Sequence, residues 1–155
     1  MRYNFDSMLS ISHSLTGAFI ASKLPSPLLF VPLIFLSHYL EDWIPHWDVG
    51  TGLSNGKRSR RDAVLLELGE LAITFALVYW FFQYGSTSLN SMAWVGAFTG
   101  LIPDFLEAPR NFLKWEPGFI KPLNTVHAMF HHSTPNIVFG LTPQFLVILF
   151  IAVLK

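Results

Sequence analysis

Five apolar stretches, each closed by proline, glycine or a polar run, leave this chain few folds. They cover residues 8–24, 28–44, 63–84, 92–106 and 136–154. Between them lie Pro25-Ser26-Pro27, a polar loop at 45–62, an uncharged turn at 85–91 and an amphipathic connector at 108–123. None alternates with a period of two, so barrel strands are excluded and the expected class is all-α. A hydrocarbon core of ~30 Å takes about 20 helical residues, with roughly 17 as the lower limit. Segments 63–84 and 136–154 meet that requirement; the other three are short and would need tilt or local thinning. The expected architecture is one membrane-embedded domain over 1–155, a polytopic helix bundle of about five spans.

Threading five alternating spans puts Arg2, Lys57, Arg58, Arg60, Arg61, Arg110, Lys114 and Lys121 on one side, and only Lys23 and Lys155 on the other. Basic residues collect on the cytoplasmic side, so the N-terminus is expected there. Arg2 and the stretch 8–21 loosely fit a secretory signal. Asp6 and the polar run Ser10, Ser12, His13, Ser14, Thr16 interrupt it, so the segment reads as mature protein. Composition agrees with the bilayer: 52% apolar and 13% charged, roughly half the charge of a soluble domain. Ten Lys+Arg balance ten Asp+Glu and there is no Cys, which excludes a disordered chain, a basic nucleic-acid binder and a disulfide scaffold. Without thiolates, any metal must be held by His, Asp or Glu.

All ten carboxylates and six histidines fall on the cytoplasmic side of this threading. His38, Asp42, Glu67, Glu70 and Asp104 lie inside the ends of apolar segments. Ionisable groups there are costly, and they face a bundle interior, a cavity or one another. The densest motif is SHYLEDWIPHWD at 37–48. His38 and Asp42, four apart, share a helix face and can grip one ion. Pro45 disrupts the helix, letting His46 and Asp48 turn back to the same point. A His–Asp hydrogen bond beside an interfacial belt of Trp43 and Trp47 explains the motif without any ion.

A second motif, TVHAMFHHS at 125–133, puts His127 and His131 four apart, the spacing that presents two imidazoles from one helix face. His132 points about 100° away. Solvated histidines at an interfacial helix end are the plainer alternative. Pro103-Asp104, followed by Glu107, ends the fourth segment as Pro45-His46 ends the second. Asp104 reads equally as a site residue or as helix punctuation. Glu67 and Glu70 share one face; they complete a metal site, act as base, or pair with Arg60 and Arg61. His13 begins the first segment, with Gly17 one turn on. Phosphate-loop, dinucleotide and nucleophile-elbow patterns do not occur in the sequence.

HSLTG at 13–17, SHYLED at 37–42 and Pro103-Asp104 resemble the bacterial membrane-bound metal-dependent hydrolase family, the group containing the inner-membrane hydrolases of the LexA regulon. The likeness covers about two-thirds of the chain in short pieces. It implies a small multi-span protein of the bacterial inner (cytoplasmic) membrane. His38, Asp42 and His46 also look like the His-x-x-x-Asp-x-x-x-His helix of the zinc-dependent phospholipase C and single-strand nuclease superfamily. That similarity implies zinc-dependent phosphoester chemistry and nothing about fold.

The reading that uses most of these residues is a metal-dependent hydrolase at the cytoplasmic membrane face. His13, His38, Asp42, His46, His127 and His131 would hold one or two divalent ions, zinc or manganese. Glu67 and Asp104 would complete the shell or orient water. The expected partners are membrane lipid and a phosphoester or lipid substrate, with no nucleic acid. An ion or proton pathway, a bis-His haem site drawn from His13, His38 and His127, and a plain scaffold stand as alternatives.

Overall fold

Side-chain caps set the starts of three helices in this protein. The computed structural model describes residues 10–24, 26–53 and 55–155. Arg2, Asp6 and the Met8 start of the first apolar segment lie outside the described residues. Ser59 caps α3 (Arg60–Phe82) by accepting from the Asp62 N–H. Asn90 caps α4 (Ser91–Ala108) through Ala93, and Asn136 caps α6 (Ile137–Leu154) through Phe139. Each such cap satisfies an orphan donor and stabilises its helix by about 1 kcal/mol. α2 (Pro27–Trp43) starts on a proline whose missing N–H costs nothing at that position, and it stops just before Pro45. α1 is Ser10–Lys23 and α5 is Lys121–Phe130. A π-helical turn, Pro109–Leu113, extends α4 and closes on Lys114 in the left-handed region, φ 55°.

The fold is all-α, and consecutive long helices alternate in direction. At one end Ser10 of α1 meets Glu67 of α3, His13 meets Asp42 of α2, and Gly140 of α6 packs on Trp47. At the other, Ala21 packs with Phe30, while Phe82, Ala93 and Ile151 share a core with Leu15 and Ala18. α1 is central, touching α2, α3, α4 and α6. Its small and polar side chains are what let four helices approach it. A Cβ at Gly17 would collide with the Gly96 carbonyl, and one at Gly100 with the His13 carbonyl, so α1 and α4 meet backbone to backbone.

The five-span expectation needs correction. Only α3 and α6 are long and apolar enough to cross a membrane, by length and composition, among the described residues. α1 has 14 residues and therefore rises only about 21 Å. Its semi-polar character reflects burial among helices and not a short lipid-facing span. α4 reaches 18 residues, yet Asp104 and Glu107 in its last turns are buried toward the other helices. Outward faces are strongly apolar nonetheless: Leu68 and Phe75 on α3 and Phe145 on α6 are all exposed.

Candidate metal centre

The polar residues gather at the end of the bundle where α1 and α3 begin and α2 and α4 finish. α2 delivers His38 and Asp42 one turn apart, and α4 delivers Asp104. α5 carries His127, and His131 follows directly as its cap, its N–H bonded to the His127 carbonyl. Past Pro45 the chain pairs with the strand-like segment after α5. The His46 N–H donates to the His132 carbonyl at 3.0 Å, and the Thr134 N–H to the His46 carbonyl at 2.7 Å. The His132 N–H reaches the Asp42 carbonyl at 3.1 Å. These bonds lock the His46 loop against the end of α5 and bring His46 opposite His131. On the far side, Arg58 stacks on Trp47 and donates to the carbonyls of Asp48 and Val49, fixing the loop that carries Asp48.

Two histidines have their outer nitrogen hydrogen-bonded to a carbonyl, and two more have it within ion-pair distance of a carboxylate. His38 Nδ1 donates to the Gly100 carbonyl at 2.8 Å, and His46 Nδ1 to the Ile44 carbonyl at 2.8 Å. A carbonyl only accepts, so both Nδ1 atoms carry protons and each ring turns its Nε2 inward. His13 Nδ1 faces Glu41 Oε2 at 3.1 Å and His127 Nδ1 faces Glu107 Oε2 at 2.9 Å. Acceptors behind the imidazoles are how metal-ligating histidines are oriented and made more basic. Burial holds His46 below its ordinary pKa of 6.5 and His131 well below it, so both are neutral at pH 7.

The inner atoms then crowd together. His38 Nε2 and His127 Nε2 are 3.2 Å apart, and His46 Nε2 and His131 Nε2 are 2.9 Å apart. A divalent cation lodged between such nitrogens would take a lone pair from each. Ligands about 2.0–2.1 Å from a tetrahedral zinc sit about 3.3 Å from one another. Around the first pair, Asp42 Oδ2 is 3.2 Å from His38 and 2.7 Å from His127, while Asp104 Oδ1 is 3.9 and 3.6 Å away. Around the second, Asp48 Oδ2 stands 3.8 Å from His46 and 3.7 Å from His131. Asp42 belongs to both groups, His38/Asp42/His127 and Asp42/His46/His131, and can therefore bridge two ions. A third group, His13/His38/Asp104, overlaps the first. Every one of these residues except His131 is almost fully buried.

Comparison with family models, curated proteins and solved structures finds no match. The chemistry of the site therefore rests on its donor geometry.

Of the residues expected from sequence, His13, His38, Asp42, His46, Asp104, His127 and His131 all converge here, and Asp48, expected to turn back with His46, stands beside the His46 half. His13 stacks on His38, ring centroids 3.9 Å apart, and its Nε2 is 3.2 Å from Asp42 Oδ1. Glu67 and Glu70 lie beside the start of α1 and outside the three ligand groups. Glu67 accepts from the Ser10 hydroxyl at 2.7 Å and Glu70 from the Ile11 N–H at 3.4 Å. His132 is exposed and contributes its backbone. Sequence reasoning did not assign Glu41, Glu107 and Arg110 their places. Arg110, turned inward by the π-helical turn, pairs with Glu107 and, at 3.5 Å, with Glu116. Glu116 accepts in turn from Asn124 on α5 at 2.9 Å. A buried carboxylate one nitrogen behind a histidine leaves no spacing signature when the two are on different elements.

Proposed function

We propose that this chain is a metal-dependent hydrolase whose centre lies at the cytoplasmic face of a bacterial inner membrane. The observation that carries the reading is the pair of close Nε2···Nε2 contacts, both flanked by Asp42. Divalent ions held there would polarise a phosphoryl or acyl oxygen and activate water for attack. His38, Asp42 and His127 form one half, with Asp104 beside them; Asp42, His46 and His131 form the other, with Asp48. Glu41 and Glu107 hold the His13 and His127 rings. Asp104, close to two imidazoles, is the carboxylate placed to take a proton from an attacking water. Glu67 keeps its place in the hypothesis only through the neighbourhood of α1.

Zinc is the favoured ion because the donor set is imidazole with carboxylate, and manganese is the alternative. The motif resemblance to membrane-bound metal-dependent hydrolases supports the same activity. Support for the membrane comes from the two candidate spans and the exposed apolar faces. In the finer arrangement, α2 and α4 also lie within the bilayer alongside α3 and α6, enclosing α1. The basic run at 57–61 before α3 supports a cytoplasmic position for the metal end. The partners are then membrane lipid and a phosphoester or lipid substrate.

A proton pathway is the second reading, favoured by the series Glu41–His13–Asp42–His127–Glu107, whose nitrogen–oxygen distances run from 2.7 to 3.2 Å. Elemental analysis of the purified protein separates the two. One or two equivalents of zinc or manganese, lost in Asp42→Asn together with phosphoester hydrolysis, are expected. No bound ion after reconstitution, with proton flux through vesicles lost in Asp42→Asn, would replace the hydrolase by the pathway.

A further inference from the structure

An apolar groove of about 920 Å³ lies between α6, α1 and the end of α2. α6 is held against the bundle near both ends. Near its start, Gly140 packs on the Trp47 backbone and Gln144 Nε2 donates to the Trp47 carbonyl at 3.0 Å. Near its end, Ile151 enters the core. The groove is graded in polarity. Ser12, Thr16, Glu41 and Thr142 line the end toward the metal centre, and Phe19, Leu146, Phe150 and Val153 line the remainder.

That polar end shares walls with the metal site. Glu41 is both a groove residue and the partner of His13 Nδ1, and Ile44 is both a groove residue and the acceptor for His46 Nδ1. From Thr142 to Val153, α6 rises about 16 Å, close to half of a ~30 Å hydrocarbon core and so to the depth of one leaflet. A volume near 900 Å³ is at the upper end of the range for small-molecule sites, about 300–1,000 Å³.

From this geometry we infer that the groove is the acyl-chain site for a phospholipid substrate, whose phosphoester head lies at the Glu41 end beside the metal centre. The inference rests on the metal-hydrolase reading for the head group alone. A single chain in the groove matches both its length and its polarity gradient. A second copy of this chain would instead need a polar residue on its packing face to meet Glu41, Ser12 and Thr16, whereas the outward face of α6 offers Phe145 and Val138.

The test uses the full chain in lipid nanodiscs containing a small fraction of phosphatidic acid with a diazirine near the end of one acyl chain. After illumination, adducts are mapped by peptide mass spectrometry, and zinc is measured on the same sample. Adducts are expected to concentrate several-fold on Phe19, Phe150 and Val153 over the outward residues Phe75 and Phe145. Leu146→Trp should abolish that excess, because Leu146 is exposed in the groove and a larger side chain there fills it without disturbing the core. Thr142→Phe, nearer the polar end, provides a second block. Even labelling of Phe75, Phe145 and the groove, unchanged by either variant, would overturn the inference and leave bulk lipid as the occupant. Groove residues cross-linked into a covalent dimer would overturn it in favour of a second copy. Neither Leu146 nor Thr142 belongs to a ligand group, so zinc content reports on the metal reading separately.

Discussion

Removing Glu107 tests how the metal half around His127 is built. Its side chain is buried, faces His127 Nδ1 at 2.9 Å, and is ion-paired with Arg110. Glu107→Ala deletes the acceptor that fixes the ring with Nε2 turned toward His38 and Asp42. Loss of such a supporting partner typically costs about 10–100-fold in metal affinity, or about 1.4–2.7 kcal/mol. The upper part of that range is expected. Arg110, itself nine-tenths buried at its side chain, loses its nearest carboxylate and leaves positive charge beside the ions. Glu107→Gln keeps an acceptor oxygen in the same place, so affinity should fall only several-fold. Zinc competition against a chelator in detergent reads the affinity, and circular dichroism verifies that the helices persist. If Glu107→Ala binds zinc as tightly as the parent with helix content unchanged, Glu107 does not orient His127.

Two more predictions concern stability. Gly17→Ala puts a methyl into the Gly96 carbonyl and should destabilise the bundle by about 1–3 kcal/mol as overpacking, whereas the exposed helical Gly69→Ala should be neutral or stabilising by up to about 1 kcal/mol. Thermal unfolding in one detergent compares them, and equal midpoints would contradict the close α1–α4 contact. In metal-free protein, His46 and His131 are held neutral by burial, so their folded pKa values lie below the unfolded 6.5. The unfolded chain takes up those protons first, and stability is lost as pH falls below about 6.5. Between pH 7.5 and 5.5 the His46→Gln/His131→Gln protein should lose less stability than the parent; identical slopes would contradict the assignment.

Much of the site is legible in the sequence because its ligands come in pairs with helical spacing. His38 and Asp42 on α2, and His127 and His131 at the end of α5, are each four apart, and helix geometry alone brings each pair to one face. Pro45 is legible too, since a proline there must end α2 and free the following residues to turn. What brings His46 opposite His131 is backbone pairing between two irregular segments, and no periodicity encodes it. Glu41 and Glu107 escape for a related reason: each supports a histidine on another element.

The fold divides in the same way. The all-α class and the two long apolar helices follow from hydropathy and length. The place of α1 does not, because small and polar residues that suit a crowded central helix have the same average hydropathy as a weak span. Gly17, Gly96 and Gly100 carry the missing information, but their meaning depends on which helix faces which. That is a tertiary property. Hydropathy reads segments one at a time.

X-ray absorption at the zinc edge of the reconstituted protein tests the central claim most directly. The proposed zinc centre predicts four-coordinate nitrogen and oxygen shells at about 2.0–2.1 Å with the outer-shell scattering of imidazole, weakened in His38→Ala/His127→Ala. A six-coordinate, all-oxygen shell without imidazole, unchanged in that variant, would contradict it.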